Sequence, residues 1–381
     1  MENKKDPKIC IVSTIHFYKN ARVFYKCSVS LRKKYNDVNL IIPHESKTNF
    51  LEEGIKIVPI PLATTKTQRF IRNFLIVYKK IIKLKPDVIH FHVPELVLVM
   101  WLIKFKLGSK IIFDVHENIP LSFIDKEWIP KFVRVAMPKI YSFIEKKLTQ
   151  NYDGVILAEP SYPKNYKTKV IELLNYPILP KEKSLIKKDF SNEINFVYVG
   201  NVTVLRGAFV FINIFNELSK KFSNITLTIV GNFAPIKLKS DLQKYIVANN
   251  LSDKVIVTGE LPLIEVFNIL ENSHFGFALL KPIGNYLESL STKIFDYMVK
   301  GVPYIVSDFL IYQKYTIDEN TGVVSDFDDI QKSVNIISEL LNNRSKLYIM
   351  SENGKRLVNS KWNWLKEEKK LYALYESILE N

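Results

Sequence analysis

Two carboxylates, Glu288 and Asp296, stand with seven residues between them in the segment KPIGNYLESLSTKIFDYMVKGVPYIVSD, residues 281–308. Glu288 reads as a loop residue, and Asp296 as lying about one turn inside the helix that follows. Ser291 or Thr292 suits the N-cap, which leaves backbone N–H groups aimed at an anion, and Lys293 adds positive charge there. A diphosphate at that helix start would leave one carboxylate for sugar hydroxyls and the other for ribose hydroxyls. An ordinary capped helix with acidic first turns carries the same pattern. A second anion-seeking feature precedes it. Gly200 ends a strand and allows a sharp turn, and Arg206 opens the next helix, where its cation and the helix dipole would clamp a diphosphate without a metal. Alone, that pair is equally a surface arginine beside a helix-starting glycine.

The histidines form another group. Five of the six fall in the first 120 residues. His16 follows the first expected strand, His90 and His92 end another, and His116 follows a third, so three strand ends carry imidazoles to one sheet edge. Each alone could simply cap a strand. His116-Glu117 is the sharper pair, because an imidazole can bond a sugar hydroxyl or carbonyl while a carboxylate accepts from a hydroxyl or orients the ring. His90, His92, His116 and Glu117 could supply metal ligands, but their spacing matches no zinc pattern, and no metal is expected. The loop after the first strand (His16 to Arg22, HFYKNAR) has no glycine, which argues against a nicotinamide-dinucleotide site.

These positions need strands and helices in alternation to hold them. Strand-like runs occur at residues 8–15, 38–42, 55–60, 87–92, 110–115, 154–158 and 170–174, with helical periodicity over 21–34, 68–83 and 132–148. The lysine-rich stretch 179–194 reads as a linker. The alternation then restarts, with strands at 195–199, 225–230, 255–258, 275–278, 304–306 and 322–324 and helices between them. Such βαβ repetition implies two doubly wound α/β domains, residues 1–178 and 195–362, facing across a cleft, with ligands at the carboxyl ends of the strands. Residues 363–381 read as a closing helix.

Composition bounds the partners. The chain has 381 residues and a formal net charge of +15. Residues 1–180 hold 30 Lys and Arg against 16 Asp and Glu; the remainder holds 24 against 23. The excess therefore belongs to the first half, which should seek phosphates or an anionic surface. Two cysteines, Cys10 and Cys27, on a strand and a helix, fit a reducing compartment. The apolar run from Leu96 to Ile103 is far below the ~20 residues that span a bilayer. No aromatic-basic motif for nucleic acid appears. The expected location is therefore cytoplasmic.

The motifs together resemble glycosyltransferase family 4, retaining enzymes of the GT-B fold that build surface polysaccharides. The carriers are PDVIHFH (86–92), FDVHEN (113–118), YVGN…RGA (198–208), LTIVGN (227–232), VIVTGEL (255–261) and STKIFDYMVKGVPYIVSD (291–308). The resemblance implies that Asp296 holds the donor ribose and Glu288 lies near the donor hexose. It sets Arg206 against the diphosphate, His116 on the donor sugar, and the N–H groups of Ser291 and Thr292 on the phosphate. The base would lie near Gly259–Leu261. His16, His92 and Glu117 would face the acceptor. The closing helix would cross back to the first domain. Three departures are visible: Asp296 is one methylene shorter than the family's usual Glu, Asn201 stands where many members have Arg, and the first loop lacks glycine.

The implied reaction is transfer from a nucleoside diphosphate sugar, UDP-linked, to a hydroxyl of a saccharide or a polyprenyl-diphosphate-linked saccharide, with retention and with no metal cofactor. Lys79, Lys80, Lys83, Lys131, Arg134 and Lys139 lie in helical segments suited to an anionic membrane surface. The protein is then expected on the inner face of the cell membrane. Two other functions fit the same sequence: a UDP-sugar 2-epimerase of the same architecture, and a non-catalytic basic membrane-binding protein.

Overall fold

The computed structural model describes residues 6–65, 67–116, 118, 120–121, 131–162, 164, 166–180 and 188–380, with the backbone alone at 131–133 and 135. The chain divides into two compact units, Met1–Asn175 with Trp364–Asn381, and Tyr176–Asn363. The first unit ends three residues before the expected 178. Tyr176 packs edge-on to Phe295 and shares a 3.0 Å hydroxyl contact with Tyr315, both of the second unit.

In the first unit eight strands run in the order β3-β4-β2-β1-β5-β6-β7-β8. They are β1 (Lys8–Val12), β2 (Asp37–Pro43), β3 (Phe50–Glu52), β4 (Ile55–Ile60), β5 (Val88–Phe91), β6 (Lys110–Val115), β7 (Gly154–Leu157) and β8 (Val170–Glu172). All pair in parallel except β3 on β4. The two faces of the sheet bury separate clusters. Val77, Ile81, Met100 and Ile103 cover one; Phe24, Leu31, Leu371 and Tyr375 cover the other. Burial on both faces is why these strands read as nearly unbroken apolar runs. Each fully buried side chain of this size contributes about 1.5–3 kcal/mol relative to exposure.

Helix Trp364–Leu379 belongs to this second cluster. Trp364 Nε1 donates to Ser30 Oγ at 2.9 Å, and Glu367 accepts from the Leu174 N–H at 2.8 Å. Gly154 makes room for it: a Cβ there would lie 3.1 Å from Ile378 and 3.3 Å from Leu374.

In the second unit six parallel strands run β11-β10-β9-β12-β13-β14. They are β9 (Ile194–Val199), β10 (Ile225–Val230), β11 (Val255–Gly259), β12 (Phe275–Ala278), β13 (Tyr304–Ser307) and β14 (Gly322–Ser325). Phe196, Phe211, Phe215, Phe275 and Phe277 dominate its core. Both sheets reverse their strand order at one point, between β1 and β5 and between β9 and β12. A doubly wound sheet opens a ligand crevice there.

Three local features depart from expectation. The segment 21–34 is not one α-helix: wide π-type turns run over Ala21–Ser28 and pass into α-helix Val29–Lys34. Ser28 Oγ donates to Val23 O, five residues back, as such a turn allows. The apolar run after β5 forms helix Val97–Leu107, hidden from periodicity because apolar residues sit on its solvent side too: Leu98, Leu102 and Phe105 are exposed. Finally, the expected linker is only partly described. Residues 181–187 lie outside the described residues, but Phe190 is already in the second core, and Lys188 Nζ donates to Leu270 O and Glu271 O at 2.9 and 2.7 Å. Among the described residues no helix is long and apolar enough to cross a membrane.

Candidate functional site

At the β1/β5 reversal of the first unit, parallel pairing sets His90 beside Ile112 and Phe91 beside Phe113. His90, His92 and Asp114 therefore share one face of the sheet. Asp114, 0% exposed, is the centre of the group. Arg22 grips it with both arms, Nε to Oδ2 and Nη2 to Oδ1, each 2.8 Å. Asn20 makes this approach possible: its Oδ1 accepts from the N–H groups of Arg22 and Val23 and so starts the wide turns. Arg22 Nη1 also donates to Leu173 O and Asn175 Oδ1, at 2.9 and 3.0 Å.

The imidazoles ring this ion pair. His92 Nδ1 lies 3.0 Å from Asp114 Oδ2, and His116 Nε2 lies 3.3 Å from it. The two nitrogens are 2.9 Å apart. His90 Nδ1 meets the Tyr375 hydroxyl at 3.1 Å. The His16 ring centre is 5.2 Å from that of His116, and its Nδ1 is 2.7 Å from Ser13 Oγ.

Burial decides the charges. It would raise the Asp114 carboxyl, but the Arg22 guanidinium and the His116 contacts hold it well below the usual carboxylate range. Burial lowers His90 and, with His90 alongside, takes His92 well below the ordinary value. His16 is lowered to about 4, by burial first and then by His116. At neutral pH these three rings are uncharged. An ionised carboxylate only accepts, and His92 Nδ1 and His116 Nε2, hydrogen-bonded to one another at 2.9 Å, cannot both carry a proton. Among the described residues nothing bonds His116 Nδ1. His116 is half-buried, so that nitrogen can bond a ligand hydroxyl.

This placement changes one expected role. His92 is 2% exposed, too buried to face an acceptor, and it braces His116 instead. Glu117 lies outside the described residues. His16 is half-buried beside His116. Cys27, His90, His92 and Asp114 bring ligand atoms within 4.8 Å of one another. Their chemistry suits a metal poorly. Both Asp114 oxygens are taken by a guanidinium, burial pushes the Cys27 thiol up to about 12, and Tyr375 engages His90.

In the second unit three strands end in glycine at Gly200, Gly231 and Gly259, all at positive φ. A Cβ on Gly231 would lie 2.0 Å from the Gly200 carbonyl oxygen, so only glycine permits that approach. A Cβ on Gly200 would lie 2.9 Å from Lys293 Cε. The Lys293 side chain thus passes under the Gly200 turn. It ends 2.9 Å from the Tyr198 hydroxyl and 4.2 Å from that ring's centre. Tyr198 in turn donates to Asn201 O at 2.7 Å. Arg206 ends a single 3-10 turn, Val204–Arg206, capped by Thr203. Burial, then the like charge of Arg206, lowers the Lys293 amine well below its ordinary value. Among the described residues neither cation makes a salt bridge.

The two carboxylates flank Lys293 along the chain. Glu288 is half-buried at the end of the turn Gly284–Leu287, and Asp296, also half-buried, lies in the first turn of helix Lys293–Val299. The N-cap is Thr292, whose side chain makes no capping bond. Of the expected phosphate donors, the Ser291 N–H is given to the Tyr312 hydroxyl at 3.2 Å. The Thr292 N–H has no acceptor among the described residues. The helix is only seven residues long, so an anion here would depend mainly on the side chains of Arg206 and Lys293. Gly259 accepts from the Gly231 N–H at 2.7 Å, and half-buried Leu261 follows it.

Arg22, Asp114, Tyr198, Tyr312 and Tyr375 were not among the expected site residues. Asp114 carried a signal, since it lies two residues before His116 and strand alternation sets the two on one face. Arg22 and Tyr375 are 92 residues back and 261 residues on from Asp114, and no local pattern marks them.

Two family models match in succession. Glycosyltransferase Family 4 matches residues 21–160, and Glycosyl transferases group 1 matches residues 180–357. An uncharacterized glycosyltransferase of Methanocaldococcus jannaschii is 23% identical over 337 residues, 81% of this chain and 76% of that one. Among solved structures, sucrose-phosphate synthase from Thermosynechococcus elongatus is similar with a TM-score of 0.75 at 15% identity, covering 98% of this chain and 99% of that one. Anabaena HepE in complex with UDP and glucose gives 0.72 at 11%, covering 97% and 100%. WaaG, a glycosyltransferase involved in lipopolysaccharide biosynthesis, gives 0.71 at 12%, covering 96% and 99%.

Proposed function

We propose that this chain, a glycosyltransferase of the GT-B fold, moves a sugar from a nucleoside diphosphate sugar, UDP-linked, to a hydroxyl of a saccharide or lipid-linked saccharide. One observation carries the donor half: Lys293 and Arg206 act on one another at the end of β9 without a counter-charge among the described residues. Two such cations suit a diphosphate. HepE bound to UDP and glucose supports the choice of nucleotide.

The chemistry follows from charge. As the glycosidic bond to the diphosphate breaks, negative charge grows on the leaving oxygen. Arg206 and Lys293 stabilise it there more than in the ground state. Asp296 takes the ribose hydroxyls and Glu288 those of the sugar, and the base lies near Gly259–Leu261. His116 bonds a sugar hydroxyl, its ring fixed by Asp114. His16 and Glu117 are assigned to the acceptor. Transfer proceeds with retention, by front-face attack assisted by the leaving phosphate, so no carboxylate nucleophile of the glycosidase type is needed. Cationic side chains replace a metal.

A polyprenyl-diphosphate-linked acceptor at an anionic membrane fits the first unit. The neighbouring helices Asn73–Leu84, Val97–Leu107 and Lys131–Thr149 expose Leu75, Leu102, Phe105, Ile140 and Phe143, each more than 40% accessible, alongside exposed Lys79, Lys83 and Lys139. Apolar and basic residues together favour the interface of an anionic bilayer. The protein then works at the cytoplasmic face of the membrane and builds surface polysaccharide.

The test is a calorimetric screen of UDP-, GDP- and ADP-sugars, followed by mass spectrometry of products with lipid-linked acceptors. Saturable binding of one donor and a product heavier by one sugar support the proposal. Donor conversion to an epimer without acceptor, or no nucleotide binding at all, would refute it.

A further inference from the structure

Lys293 is an unusual place to keep a charge. It is 8% exposed. An ammonium has three donors, and among the described residues the Lys293 amine has one acceptor, the Tyr198 hydroxyl. Among the described residues the groups around it offer no negative charge. From β9, Tyr198 presents its ring and its hydroxyl. From the 3-10 turn, Arg206 presents a like charge. On its own helix, Tyr297 gives its hydroxyl proton to Phe277 O. The nearest carboxylate along that helix, Asp296, makes no ion pair with it among the described residues. A neutral amine, with two N–H groups and a lone pair, suits this empty setting better than an ammonium. A diphosphate beside Arg206 reverses the balance by supplying both countercharge and acceptors.

We propose that the Lys293 amine takes up a proton from solvent as a diphosphate binds, so that seating the donor and charging the lysine are one event. The inference rests on the donor-binding role proposed for this pair. It also accounts for Asn201, which offers no charge to the diphosphate. Lys293, threaded under Gly200 and tied through Tyr198 to the Asn201 carbonyl, supplies the second cation only once the anion is present.

The sign is fixed by linkage. The free protein holds the amine at a lowered pKa through burial and Arg206; the bound anion raises it. Between those two values binding takes up a proton, and affinity falls as pH rises, by up to about tenfold per pH unit. Outside that window affinity is independent of this group.

The experiment is isothermal titration of the full chain with UDP-glucose at pH 8, where its diphosphate diester does not titrate, in buffers of different ionisation enthalpy. The slope of observed enthalpy against buffer enthalpy counts protons. Net proton uptake on binding is expected for the unaltered chain, and none for Lys293→Arg, which stays charged. Binding with zero slope, or the same slope in Lys293→Arg, would overturn the inference while leaving the donor site standing. Absence of binding by UDP-, GDP- and ADP-sugars alike would remove the donor role and the inference together.

Discussion

Asp114 and Arg22 form a fully buried, two-pronged ion pair at the reversal point of the first sheet, and His116 leans on the same carboxylate. The pair aligns the imidazole without ever reaching solvent itself. Its charges cancel inside, so the positive surface excess of this half lies elsewhere.

Breaking one side of this pair leaves a buried charge. Arg22→Met should lower stability by about 3–5 kcal/mol, read as a fall in denaturant midpoint. Asp114→Leu added to it should recover part of the loss, because the orphaned carboxylate is gone. If the double variant were less stable than Arg22→Met, the pair would not be the source of the effect.

Acid should destabilise the first unit in two overlapping steps. His16, His90 and His92 have lowered folded values, so the unfolded chain binds more protons below the ordinary histidine pKa of about 6.5. Asp114 has a lowered folded value too, so its contribution is present above the ordinary carboxylate range and lost as pH falls through its folded pKa. Both terms have one sign. Unfolding free energy should drop from pH 7 to 5 and more steeply below 4. A flat profile from 7 to 5 would contradict neutral buried histidines.

Glu288→Ala should abolish transfer with nucleotide binding kept, whereas Asp296→Ala should weaken UDP binding by about tenfold or more, the loss of a charged hydrogen bond. Calorimetry and a product assay on both variants separate the roles. Unchanged UDP affinity in Asp296→Ala would end the ribose assignment.

Lys79, Lys80 and Lys83 changed together to Ala should reduce binding to phosphatidylserine-containing vesicles by roughly a hundredfold, at about 1 kcal/mol per basic residue. Co-sedimentation measures it. Equal binding before and after would remove this helix from the membrane face.

The strand alternation, the two sheets and the strand-end positions of the histidines were legible because parallel strands buried on both faces leave a plain apolar signature. Helix Val97–Leu107 was not, since exposed Leu98, Leu102 and Phe105 erase its period. Nor was the three-residue edge strand Phe50–Glu52, too short for alternation to register. At the site, residue types pointed to Arg206, Lys293 and the carboxylates. What lay beyond them was the burial of His92, the capture of the Ser291 N–H by Tyr312, and the centring of the histidines on Asp114. Each depends on contacts between residues far apart in sequence, which local spacing does not encode.

The most direct test of the proposed diphosphate site is UDP titration of Arg206→Ala beside the unaltered chain. Arg206 makes no side-chain bond among the described residues, so its removal should spare the fold. Loss of about 1.5–3 kcal/mol, roughly 10- to 150-fold in affinity, is predicted with unchanged thermal unfolding in the absence of ligand. Equal affinity in the two proteins would contradict the account.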